Sequence, residues 1–135
     1  MKRNGLKDYM LGDFVSVKAE HGRRVAAKVC GNTGKALLDE WGDVYIDPKP
    51  LPVTEKRLEA FCFRFENDTP DGKAYSLPDD ELWGYYEAGT FYTAFSPRTQ
   101  PDDGAAIRHV HVLQHVMRFR GLEDEADNPD LEKLK

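Results

Sequence analysis

The chain has 135 residues, 40% of them hydrophobic and 32% charged, and a formal net charge of -5. A domain of that size buries enough surface to hold a core without disulfides or a structural metal, and its overall acidity argues against long-range attraction to nucleic acid. No stretch approaches the ~20 consecutive apolar residues needed to cross a bilayer.

The opening MKRNGLKDYMLGDF is basic but has neither the apolar centre nor the small-residue cleavage site of an export signal, so a cytoplasmic location is expected. Residues 1–12 read as an irregular lead-in. Phe14, Val15 and Val17 begin a first strand, His21-Gly22 reverses the chain, and Val25 to Cys30 forms a second. Gly31 to Gly34 is a further turn, since glycine and asparagine tolerate positive φ. It is no phosphate loop, because the two glycines stand too close together and Lys35 is followed by Ala36 rather than Ser or Thr. Val44, Tyr45 and Ile46 mark another strand. Such short strands predict a small, curled antiparallel sheet over about residues 12–47, with an SH3-like barrel as its closed form. Cys30 and Cys62 lie far apart with no C-x-x-C spacing and read as two buried thiols.

Pro48, Pro50 and Pro52 mark a connector. Thr54 is a good N-cap, Glu55 suits the first turn, and Leu58, Phe61 and Cys62 recur at helical spacing, predicting a helix from about Glu55 to Phe61. The stretch FCFRFEN also reads as a strand. Asn67 to Gly72 is a turn. Aromatic and β-branched residues then predict strands near Ala74–Leu77, Leu82–Tyr86 and Thr90–Phe95, with a hairpin at Glu87-Ala88-Gly89 and a final strand at Ala105–Arg108. The aromatics of these strands are first of all packing residues; Trp83 and Tyr85 are the candidate contacts among them.

RHVHVLQHVMRFRG, Arg108 to Gly121, closes the pattern. At about 100° per residue, Val110, Val112, Leu113, Val116, Met117 and Phe119 occupy one half of a helix, and His111, Gln114, His115 and Arg118 the other. Gly121 is placed to end it. The expected helix buries its valines, leucine and methionine and turns its imidazoles and Arg118 outward. His111 and His115, at i and i+4, could share a metal ion, but zinc needs three or four protein ligands and the glutamate of H-E-x-x-H is missing. No metal or other cofactor is therefore assigned. The last stretch, EDEADNPDLEKLK, carries six acids against two lysines, and residues 123–135 are expected to be a disordered acidic tail. A tail folded back over the basic segment is the other reading.

The remaining constellations carry less. Arg23, Arg24 and Lys28 form a basic cluster that, with Arg118 and Arg120, would serve a nucleic-acid contact, yet no helix-turn-helix, finger or RNA-binding signature accompanies them. Asp39, Glu40, Asp43, Asp47, Asp79, Asp80 and Glu81 read as solvated loop acids. Ser16, Ser76 and Ser96 lack a nucleophile elbow.

Three segments together, LGDFVSV (Leu11 to Val17), LPVTEKRLEAFCF (Leu51 to Phe63) and VHVLQHVMRFRG (Val110 to Gly121), resemble small uncharacterised proteins of gut Bacteroidetes and their prophages. That group is similar in its entry to the first strand, its proline–threonine helix opening and its C-terminal Val-His-x-Leu-Gln helix. The resemblance implies an α+β domain with a curled N-terminal sheet, a middle helix, an aromatic sheet and a closing helix, and it implies no reaction. Val110, His111, Leu113 and Gln114 match its recurring core, whereas His109, His115 and Arg118 lie outside it.

The expectation is thus one compact α+β domain over residues 1–122, with a sheet at about 12–47, the remainder at about 53–121, and a tail. Its expected role is that of a non-enzymatic accessory or protein-interaction domain, carried by a mobile element and meeting a protein partner or a second copy of itself. The expected contacts are His111, Gln114, His115, Arg118, Trp83 and Tyr85. A nucleic-acid module using Arg23, Arg24, Lys28, Arg118 and Arg120 is one alternative; a metal-assisted hydrolase using His111 and His115 is another.

Overall fold

A computed structural model describes residues 8–78, 82–94 and 106–135. Phe95, Ser96, the QPDDG loop, Ala105 and the acids at 79–81 lie outside the described residues. The fold is α+β, with helices and antiparallel sheets. Contacts group the chain into two compact units, Met1–Leu51 with Lys135, and Pro52–Leu134. The break falls in the proline-rich connector.

The first unit contains β1 (Phe14–Lys18), β2 (Arg24–Lys28), β3 (Gly31–Asn32), β4 (Leu37–Leu38) and β5 (Lys49–Pro50). β1 lies between β2 and β5 in an open three-stranded sheet, and β3 pairs with β4 in a separate ladder, so the described strands close no barrel. His21 (φ 62°) and Gly22 (φ 76°) turn the chain between β1 and β2, as expected. The register sets Val15 opposite Ala27 and Val17 opposite Val25. Strand alternation puts these four on one face, where they pack with Tyr9, Val29, Leu37 and Tyr45. Val44–Ile46 is not a regular strand: Val44 only bridges Leu38, and the flanking bonds run from the Tyr45 N–H to the Leu37 carbonyl and from the Lys18 N–H to the Ile46 carbonyl, each 2.9 Å.

The second unit contains α1 (Glu55–Ala60), β6 (Arg64–Thr69), β7 (Gly72–Ser76), β8 (Trp83–Glu87), β9 (Thr90–Ala94), β10 (Ala106–Ile107), α2 (Val110–Phe119), α3 (Glu123–Asp127) and α4 (Leu131–Leu134). Its sheet is an antiparallel meander in the order β10-β9-β8-β7-β6. The Thr54 Oγ1 accepts the Arg57 N–H at 3.2 Å, which caps α1, and the ambiguous FCFRFEN stretch divides: α1 ends at Ala60 and β6 begins at Arg64. Gly84 lies under the ring of Phe91, which a Cβ would overlap. Phe91 in turn meets Phe63 edge-to-face at 5.2 Å.

The end of α2 follows its glycine. Gly121 takes φ 80°, its N–H donates to the Arg118 carbonyl at 3.0 Å, and the Leu122 N–H reaches the Met117 carbonyl at 2.9 Å. These are the two bonds of a Schellman motif, and they turn the chain back along the helix. The tail expected to be disordered instead forms α3 and α4. α3 packs on α2 and α4 on α1, with Leu122, Ala126 and Leu134 buried. The Asp130 N–H donates to the Ala60 carbonyl and the Arg57 Nε–H to the Leu134 carbonyl, both at 2.8 Å. A few small apolar anchors suffice because hydrogen bonds to the rest of the unit accompany them.

Both cysteines are exposed rather than buried. Val29 takes the inward position beside Cys30, and Cys62 (φ 74°) lies in the turn after α1. Replacing Gly84 by alanine is expected to cost about 2–3 kcal/mol through overpacking against Phe91. The same change at Gly121, where a Cβ meets open space, should cost only about 1 kcal/mol for the left-handed backbone. Chemical denaturation of the two variants measures both, and equal losses would contradict the packing described.

Candidate functional site

The closing helix does not present the surface expected of it. His111 and Gln114 are buried, at 3% and 0% exposure, whereas Phe119 on the expected apolar half is 92% exposed. The cause is the C-terminal segment lying on the polar side of α2. Gln114 donates through Nε2 to the Ala126 carbonyl at 2.8 Å, and Arg118 donates through Nε and a terminal nitrogen to Asp127 Oδ1 at 3.0 and 2.8 Å. The His111 ring stacks on His109 at 5.9 Å and meets His115 edge-to-face at 5.7 Å. Among the described residues no three His, Cys, Asp or Glu side chains converge as metal ligands. Tyr85 is buried and Trp83 half-buried, clustered with Ala74. Of the six expected contacts, then, His111, Gln114 and Tyr85 are closed to a partner, and His115, Arg118 and Trp83 are half-covered.

The basic residues fare similarly. Arg24 donates through Nε to Ser16 Oγ at 2.8 Å and through its terminal nitrogens to the Ser16 carbonyl, the Asp47 carbonyl and Asp47 Oδ2, at 2.7, 2.6 and 2.9 Å. It fastens the Asp47 loop to β1 and β2. Arg23, Lys28 and Arg120 are exposed. Arg24 and Arg118, central to a nucleic-acid reading, are both engaged by carboxylates of their own units.

Open depressions lie among the described residues of the second unit. One of 660 Å³ lies beside β6 and includes Cys62, Phe63, Phe65 and Pro129. Another, of 290 Å³, gathers Glu55, Asp68, Lys73 and Glu87. There Glu55 is held by Lys73 at 3.4 Å and accepts the Tyr75 hydroxyl at 2.8 Å. Burial, then that bond to Glu55, pushes the Tyr75 phenol well above its ordinary range, so it stays a donor rather than a base. No histidine lines either depression.

The feature that stands out is in the first unit. Among the described residues, five of the eight exposed large hydrophobics belong to it, and three of those share one hairpin: Trp41 at 79%, Val44 at 61% and Ile46 at 66%. The hairpin leaves β4 at Leu38 and returns at Val44. Asp39 organises its turn: Oδ1 accepts the N–H groups of Trp41 and Asp43, each at 2.9 Å. The backbone adds bonds from the Asp39 N–H to the Asp43 carbonyl at 2.8 Å and from the Gly42 N–H to the Asp39 carbonyl at 3.1 Å. On the returning arm Tyr45 packs against the core cluster and its hydroxyl donates to the Lys28 carbonyl at 2.8 Å. Alternation about Tyr45 sends Val44 and Ile46 the other way, toward water. Sequence reasoning read this stretch only as solvated loop acids; the signal available was the D-E-W-G-D turn, which sets Trp41 at a hairpin tip.

No family model matches the chain, and neither a curated protein nor a solved structure matches it. Among the described residues no helix is long and apolar enough to cross a membrane.

Burial, and secondarily the charge of Arg108, lower the pKa of His109 below its ordinary value near 6.5. Its neutral form is favoured in the folded chain. Stability linked to this ring is therefore level above about pH 7 and falls as pH drops through 6.5 toward the folded value, where the unfolded chain takes up its proton first. An NMR titration should give His109 a midpoint below 6.5, and a midpoint at or above it would refute the assignment.

Proposed function

We propose that this chain is a protein-interaction domain whose contact is the Trp41 hairpin of its first unit. The single observation behind this reading is a tryptophan 79% exposed at the tip of a turn held by four hydrogen bonds, with Val44 and Ile46 exposed on the adjoining arm. Leaving such groups in water forgoes about 1.5–3 kcal/mol for each large side chain that a partner could cover. Tryptophan is also among the residues that most often dominate binding energy at interfaces. The contact moves away from the closing helix and from Trp83 and Tyr85, whose burial serves folding. An accessory role in a mobile element, which the resemblance suggests, and a cytoplasmic site of action fit this reading. A nucleic-acid contact has less support, since Arg24 and Arg118 already answer carboxylates.

A photo-crosslinking residue placed in turn at positions 41, 44, 65 and 119 of the full chain, in cells of its source, separates the hairpin from the other exposed hydrophobic sites. Discrete adducts are expected from positions 41 and 44, competed away by unmodified protein, with none from 65 or 119. Adducts confined to 65 or 119 would overturn the proposal.

A further inference from the structure

The charge around the hairpin is one-sided. From Ala36 to Asp47 there are four acids and no base. Asp47 is answered by Arg24 at 2.9 Å and Lys49 at 3.8 Å, and the Asp39 carboxylate is engaged by backbone N–H groups. Glu40 and Asp43, which flank Trp41, are exposed and take part in no ion pair among the described residues. The Tyr45 phenol nearby is pushed up to about 12, chiefly by burial and further by Cys30, Asp39 and Glu40.

We infer that the Trp41 hairpin receives a basic segment of a partner protein, with an arginine or lysine over the indole face and its charge met by Glu40 and Asp43. This rests on the reading of the hairpin as the contact and names the chemistry of its occupant. Among aromatic rings the indole attracts a cation most strongly, and a nearby carboxylate adds Coulomb attraction that the ring alone lacks. Val44 and Ile46 supply apolar area for the stem of a long basic side chain or for an aliphatic neighbour. The same acids disfavour the other surfaces an exposed tryptophan meets. An anionic bilayer and a nucleic-acid backbone would both be repelled by Glu40 and Asp43, whose charges no base of the hairpin offsets.

Displayed random 12-residue peptides selected on the full chain, and counter-selected on Trp41→Ser, test both levels. Clones that need Trp41 should carry arginine or lysine several-fold above the input and should be depleted of acids. Their affinity should fall at least ten-fold in Glu40→Gln/Asp43→Asn and on raising NaCl from 50 to 500 mM. Both substitutions lie at exposed positions, and thermal unfolding of each variant should match the parent. Trp41-dependent clones without basic enrichment would overturn the inference and leave the contact standing. So would binding to phosphatidylcholine/phosphatidylglycerol vesicles, or a dimer abolished by Trp41→Ser. If no clone depends on Trp41, the contact itself fails, and the inference with it.

Discussion

Two backbone N–H groups, those of Trp41 and Asp43, converge on one carboxylate oxygen of Asp39, and the form of the exposed hairpin follows from that arrangement. Bonds to an ionised acceptor are about twice as strong as neutral ones. Here they fix a turn that would otherwise sample several states. A fixed turn matters because ordering a loop on binding subtracts from affinity, whereas a pre-formed one does not. The inward Tyr45 anchors the returning arm from the other side, through the core cluster and its bond to the Lys28 carbonyl. The apolar side chains that remain outside are therefore held outside by the same contacts that stabilise the unit.

In the second unit the governing constraint is that buried polar groups require partners. α2 carries His111, Gln114 and Arg118 on the side opposite its valines, and the C-terminal segment supplies what two of them need: the Ala126 carbonyl for Gln114 and the Asp127 carboxylate for Arg118. The Schellman turn at Gly121 starts that segment back along the helix. Arg57 and the Ala60 carbonyl hold its far end. A run of acids that would be disordered alone is ordered here by specific acceptors and donors on the unit it covers.

Much of the fold could be read from the sequence, for local reasons. Turn residues marked the β1–β2 reversal, Thr54 marked the start of α1, alternating aromatics marked β7 to β9, and Gly121 marked the end of α2. Periodicity failed where tertiary contact decides. A helical wheel treats glutamine and histidine as solvent-facing, yet Gln114 is fully buried because its partner lies twelve residues further along. Composition likewise left open whether the acidic tail is disordered or folds back over the basic segment, because the choice depends on tertiary partners. The hairpin was missed because a lone tryptophan among acids has no periodic signature; the D-E-W-G-D turn is a local signal alone, and the pairing of Leu38 with Val44 makes it a tip.

Backbone ¹⁵N relaxation over residues 39–43, together with exchange of the Trp41 indole N–H, tests the central claim most directly. Order parameters near 0.85, as in the strands, beside an indole proton exchanging at the rate of open solvent, are expected in the intact chain, with values below about 0.6 once Asp39 is replaced by alanine. A turn already mobile with Asp39 in place, or an indole proton protected from exchange, would contradict it.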